Sequence, residues 1–227
     1  LTLRASGHAD VLRRDGSVIA GALAGEMPAA FATTLRLDSL RFARPELFSA
    51  PVELTNGRAD LTLRLAPFDI QMHAFTLGDG DMTIAGKGEI AALPQGWQSA
   101  LDIEISQISS AKLLGLWPKT LLRGTRDWLD RNLLAAQFQD LRLALRRKAA
   151  GAPDIDLRFQ FGGLKLTPMR SLPAITDGQG YGAITGRAFS MVLEEGRTAP
   201  PLGGDLDLAG SVFTIPDMRV FPAQGQL

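Results

Sequence analysis

The chain has 227 residues, 45% of them apolar, so it has the means to bury a core. Its 24 Lys and Arg are balanced by 24 Asp and Glu. That balance argues against a nucleic-acid binder or a polybasic membrane-surface domain, both of which need a positive excess. Cysteine is absent and histidine occurs only as His8 and His73, which excludes disulfides, Cys-ligated zinc and thiol catalysis, and most metal or triad chemistry with them.

No stretch reaches the ~18 apolar residues that a membrane-spanning helix needs. The opening Leu1-Thr2-Leu3-Arg4 is no secretory leader. The chain is expected to be a piece of a longer protein, with any anchor outside it.

Period-two alternation dominates from the N-terminal side onward. Asp15-Gly16 is a weak hairpin signal. Asn56-Gly57 is a stronger one, because a type I′ turn takes positive φ at both central residues. A two-residue loop there would set Leu54 opposite Ala59 and Val52 opposite Leu61. Arg58 to Leu65 then alternates at every position. Phe68, Ile70 and Met72 hold even positions, whereas Phe75 and Leu77 are odd. A one-residue shift inside one run predicts a β-bulge or bend near His73. Asp79-Gly80 predicts a hairpin with Leu77 facing Met82 and Phe75 facing Ile84.

Alternation returns at Leu101 to Ile105, at Leu141 to Leu145, throughout Asp154 to Phe161, and at Leu206 to Leu208. Each such segment has one apolar face and one wet face, the pattern of antiparallel sheets covered on one side. Ser109 to Leu134 breaks it. There Ser109 or Ser110 is expected to cap a short helix ended by Pro118. Thr125 is expected to cap a second, with Trp128, Leu129 and Leu133 as its apolar stripe and Arg126–Asp130 and Asp127–Arg131 as i,i+4 pairs. Thr198 to Gly204 reads as a loop. The expected fold is mainly β: an elongated, curved antiparallel sheet of ten to twelve strands, groove-like or partly closed, with two short helices near the middle. The expected divisions are 1–108, a helical insertion 109–134, and 135–227 continuing the first sheet. The high glycine content, 24 residues, is assigned to turns.

No catalytic or metal site emerges. His73 and His8 lack a partner at a recognisable spacing. Gly78-Asp79-Gly80-Asp81 and Gly203-Gly204-Asp205 lack the repeat that would supply six to eight oxygens to calcium. Gly178-Gln179-Gly180 lacks the strand–glycine–helix context of a phosphate loop. No Asp/Glu pair stands out from the alternating background as the acid and base of a glycoside hydrolase. Trp117 and Trp128 read as core anchors of the helices, with lipid contact as the sharper alternative.

Several residues carry a resemblance. Leu116-Trp117-Pro118, Arg123-Gly124, Arg126-Asp127-Trp128-Leu129 and Asn132-Leu133, followed by a strand from Asp140 to Leu145, resemble a segment of the large YhdP-type proteins of the AsmA-like superfamily. Phe161 to Leu166, then Leu172 to Gly178, then the glycine-rich run from Gly180 to Gly186, is similar to the adjoining segment of that family. The resemblance covers roughly Ile103 to Met218. It departs at Ala135-Ala136, where the family has glycine, and at Glu194 to Pro201, which reads as an insertion.

The resemblance implies a periplasmic β-structure of a Gram-negative envelope, part of a protein anchored in the inner membrane by a segment outside this chain. It implies an apolar groove that carries phospholipid between the two membranes, with no cofactor and no enzymatic activity. Phospholipid or another acyl lipid is the implied ligand, envelope proteins are further partners, and nucleic acid is not one. The groove-lining residues are then expected to be Leu61, Leu63, Phe75, Leu77, Ile84, Ile103, Ile105, Leu157, Phe159, Leu206 and Leu208. The alternative is a closed β-rich scaffold of envelope assembly, in which the same residues form a core.

Overall fold

Alternating sequences become strands because successive side chains then point to opposite faces. The computed structural model describes residues 2–19, 27–169 and 172–218. Six strands come first: β1 (Thr2–Leu12), β2 (Ala30–Phe42), β3 (Val52–Leu65), β4 (Phe68–Asp79), β5 (Met82–Leu93) and β6 (Gly96–Ser109). Helices α1 (Ser110–Leu116) and α2 (Arg123–Asn132) come next. Then come β7 (Leu133–Arg147), β8 (Asp154–Leu166), β9 (Ile175–Thr185), β10 (Ala188–Thr198), β11 (Leu206–Asp207) and β12 (Val212–Ile215). All twelve strands form one antiparallel sheet that does not close, each of β1 to β11 beside its sequence neighbour and β12 paired with β10.

The Asn56-Gly57 hairpin is not there. Both residues lie inside β3, and the β3–β4 register slips between Thr55 and Arg58. Asn56 has φ 53° and forms a bulge in a fourteen-residue strand. Asn and Asp tolerate the left-handed region, so the same residue type serves a bulge or a turn. Asp140 in β7 (φ 48°) and Asp177 in β9 (φ 54°) repeat the device. At Asp140 the buried positions change from even (Ala136, Phe138) to odd (Leu141).

The bulge near His73 is present: Asp60 pairs with Ala74 but Leu61 with Met72, so His73 is the extra residue. The β4–β5 hairpin exists with a different register. Asp79 pairs with Met82, so Leu77 faces Ile84 and Phe75 faces Gly86. The loop is Gly80-Asp81, because the residue with positive φ (59°) must come first in it. Asp15-Gly16 does turn the chain, closed by Arg13 N–H to the Ser17 carbonyl at 2.9 Å. Thr198 ends β10 and the residues after it form a loop; Leu206 and Asp207 alone make β11.

The first helix matches expectation, with the Ser109 hydroxyl accepting from Lys112 N–H at 3.3 Å. The second begins earlier than Thr125. Leu122, at φ 46°, turns the chain, and its carbonyl accepts from Arg126 N–H at 3.0 Å. The expected partner of Asp127 also changes: it meets Arg123 at 3.7 Å. Arg126 turns inward instead of pairing with Asp130. Its guanidinium donates to the carbonyls of Trp117 and Leu114, both at 3.2 Å, and to the Ser49 hydroxyl at 2.7 Å. Lys119 N–H reaches the Leu47 carbonyl at 2.7 Å, so the β2–β3 connection and the helices form one cap.

Contacts divide the chain into two compact units. Unit 1 is Leu1–Phe42, Glu53–Glu104 and Leu143–Asp154; unit 2 is Ala43–Val52, Ile105–Arg142 and Ile155–Leu227. Their interiors differ. Among the described residues, unit 1 buries the apolar residues Ala30, Leu54, Ala59 and Met82. Unit 2 buries eleven, among them Ile108, Leu133, Phe138, Phe161, Leu164 and Leu193.

Candidate functional site

In an antiparallel ladder, directly paired residues share a face. In unit 1, Leu61 pairs with Met72 and Leu63 with Ile70. Ala59 pairs with Phe75, and Leu77 with Ile84. Leu61, Leu63, Phe75, Leu77 and Ile84 therefore lie on one face. Ile103 joins them: Gly88, paired with Met72, backs onto the Leu101 side chain, and residues two apart on a strand share a face. The opposite face is polar. There Thr34 donates to Asp60 at 2.7 Å, Thr62 and His73 share a hydrogen bond of 2.9 Å, and Arg64 meets Asp69 at 3.3 Å.

In unit 2, Leu157 pairs with Ile184, and Ile184 with Phe189, which pairs with Ile215. Phe159, Gly182, Met191 and Phe213 form the next row of the same face. Phe159 also meets Phe138 edge to face, with centroids 5.4 Å apart. Leu206 lies beside Thr198 at the end of β10 and is 53% exposed. Leu208 is held by its N–H to the Gly196 carbonyl at 2.9 Å. The ladders bring six of the eleven expected residues onto one face of unit 1, and Leu157 and Phe159 onto one face of unit 2. Ile105 follows Ile103 two residues on along β6 and points the same way from that strand, whereas Leu206 and Leu208 stand apart from those rows.

None of the eleven is buried: ten are half-buried and Leu206 is exposed. On the same face of unit 1 Ala59 and Met82 are buried, so that face is covered in part and left half-buried at the six expected positions.

The sequence reading gave the high glycine content to turns and bulges, apart from a glycine-rich strand at Gly180 to Gly186; glycines lie on the strand faces of each unit. A Cβ at position 86 would stand 2.8 Å from the Phe75 ring, and one at 182 would stand 2.6 Å from the Phe159 ring. Each ring lies across a neighbouring strand because glycine leaves the space. The signal was legible: Gly86-Lys87-Gly88 and Gly178-Gln179-Gly180-Tyr181-Gly182 repeat glycine with the period of a strand face.

The remaining chemical groups are dispersed. His8 bonds Asp10 at 2.9 Å on the surface of β1. Among the described residues, no three His, Cys, Asp or Glu side chains converge as a metal would require, and no helix is long and apolar enough to cross a membrane. Among the described residues, Asp15 is the titratable group with a resolved perturbation: the Ser17 hydroxyl, then the Ser17 N–H, hold its carboxyl below the ordinary 3.8. Trp117 donates its indole N–H to the Leu121 carbonyl at 2.7 Å and helps order the cap, whereas Trp128 is exposed and is not the core anchor expected of it. No protein-family model, curated protein or solved structure matches this chain.

Proposed function

We propose that the chain is a module of a bridge-like lipid-transport protein of the AsmA-like, YhdP-type kind, in the periplasm of a Gram-negative envelope. Its apolar sheet face shelters the acyl chains of phospholipid. The observation that supports this reading is the incomplete burial of that face: Leu61, Leu63, Phe75, Leu77, Ile84 and Ile103 share it, and each is only half-buried. An apolar sheet face whose side chains the fold leaves half-buried offers a binding surface. Burying each acyl CH₂ contributes ~0.8 kcal/mol, so a chain of ~16 carbons gains on the order of 10 kcal/mol without any specific polar contact. Such binding discriminates weakly among lipids, as a conduit requires.

The scaffold alternative draws its support from unit 2, which buries eleven apolar residues among those described. Native mass spectrometry of protein prepared without detergent from a Gram-negative host tests the lipid reading. Stoichiometric phospholipid is expected, and a lipid-free chain would sink it. Two variants sharpen the test. Leu63→Asp places a carboxylate on a half-buried site where water reaches it, so the fold should survive while retained lipid falls about tenfold. Leu164→Asp places one where the side chain is 4% exposed and should unfold unit 2. Equal unfolding in both variants would mean that the unit 1 face is a closed core.

A further inference from the structure

We infer that the row of turns at one end of the unit 1 strands docks on an anionic lipid surface. The turns are β3–β4, β5–β6 and β7–β8, and three contacts join them with the residues before β2 into one rim. Leu65 N–H donates to the Ala29 carbonyl at 3.2 Å. The Phe68 and Trp97 rings meet edge to face with centroids 5.8 Å apart. Gly96, at φ 127°, backs onto the Ala149 carbonyl, where a Cβ would stand 2.7 Å away.

The rim's composition is that of a bilayer interface. Met27 is 91% exposed, Leu65 46%, Leu93 40% and Trp97 53%. Trp97 packs one edge on Phe68, and the apolar surface that these side chains still present to water is covered only by entering another phase. Tryptophan favours the headgroup level of a membrane, where its ring is shielded and its N–H stays wet. The cations fit as well. Arg64 is engaged by Asp69, but Arg147 and Lys148 are exposed and have no ion pair among the described residues. The β4–β5 turn at the opposite strand ends carries Asp79 and Asp81. An anionic surface would therefore attract the Arg147–Lys148 end of unit 1.

This docking goes beyond the acyl-chain reading and does not require it. Flotation with vesicles of phosphatidylcholine, with and without a minority of phosphatidylglycerol, tests it on the whole chain at low and at physiological salt. The wild type is expected to float with the mixed vesicles and to be released by salt. Neutralising both cations, Arg147→Gln with Lys148→Gln, should weaken binding to mixed vesicles about thirtyfold. Trp97→Ser should weaken it about tenfold on either composition. Asp81→Asn, at the other end, should bind at least as well as wild type. All four side chains are exposed, so circular dichroism should be unchanged. A wild type that stays unbound on mixed vesicles, or rim variants that float as it does, would overturn the docking. Loss of vesicle binding with co-purified lipid retained would sink docking alone; a lipid-free chain that still floats would sink the acyl-chain reading alone.

Discussion

Arg126 offers the sharpest test of how the cap is held. Its side chain is 7% exposed and carries a full charge into a protein with no buried acid beside it; the nearest, Asp127, is at 4.0 Å and half-exposed. What it has instead is oxygen. The last carbonyls of any helix lack an intrahelical partner, and Arg126 takes two at the end of α1, those of Leu114 and Trp117, plus the Ser49 hydroxyl from the β2–β3 connection. Hydrogen bonds from a charged donor contribute ~1.5–3 kcal/mol each, but the three are not additive, and removing the guanidinium also ends its desolvation cost. Arg126→Met should therefore lose about 3 kcal/mol, most of it from two stranded carbonyls. Arg126→Lys, a point charge without the planar fork, should recover only part. Arg123→Met removes an exposed arginine and its 3.7 Å contact with Asp127, and should stay within about 0.5 kcal/mol of wild type. Urea titration measures the totals, and hydrogen exchange read by mass spectrometry locates them. Protection should fall at 43–52 and 110–132 and hold at 68–93. A loss under about 1 kcal/mol, or deprotection spread evenly over both regions, would refute the account.

Backbone and titration geometry give two further outcomes. Asn56→Gly should leave the melting temperature nearly unchanged, whereas Asn56→Val, forced to φ 53° with a branched Cβ, should cost about 1–2 kcal/mol; equal melting of the two would argue against the bulge. The Asp15 carboxyl titrates below 3.8 in the folded chain because the ionised form accepts from Ser17. A depressed folded value contributes stability above the unfolded value and loses it as pH falls through the folded one. Ser17→Ala should move the Asp15 midpoint up toward 3.8 by NMR, and an unmoved midpoint would assign the shift to another cause.

Strand faces were legible because they depend on neighbours two residues away. Leu61 and Leu63, or Leu157 and Phe159, share a face in any register. The His73 bulge was legible for the same reason, since a change of parity inside one run has no other simple cause. The cap of α1 was legible because Ser109 and Lys112 are three residues apart. Where sequence reasoning failed, the deciding atoms were distant in sequence or shared by two local solutions. Asn56 fits a turn and a bulge equally well, and β4 decides between them by pairing with residues on both sides of it. Arg126 looked like half of a surface pair until Ser49, seventy-seven positions away, and the end of α1 closed around it. Leu206 and Phe159 alternate alike, yet one ends exposed in two-residue β11 and the other against Phe138.

The amino-acid order by itself determined the class of structure, the two-faced strands and the place of the helices, because these depend on periodicity and local capping. The tertiary structure alone decided which of the apolar residues would be covered. Burial is a property of what arrives from elsewhere in the chain: it arrives in unit 2, around Phe138, Phe161 and Leu164, and largely fails to arrive over Leu61, Leu63 and Phe75 in unit 1.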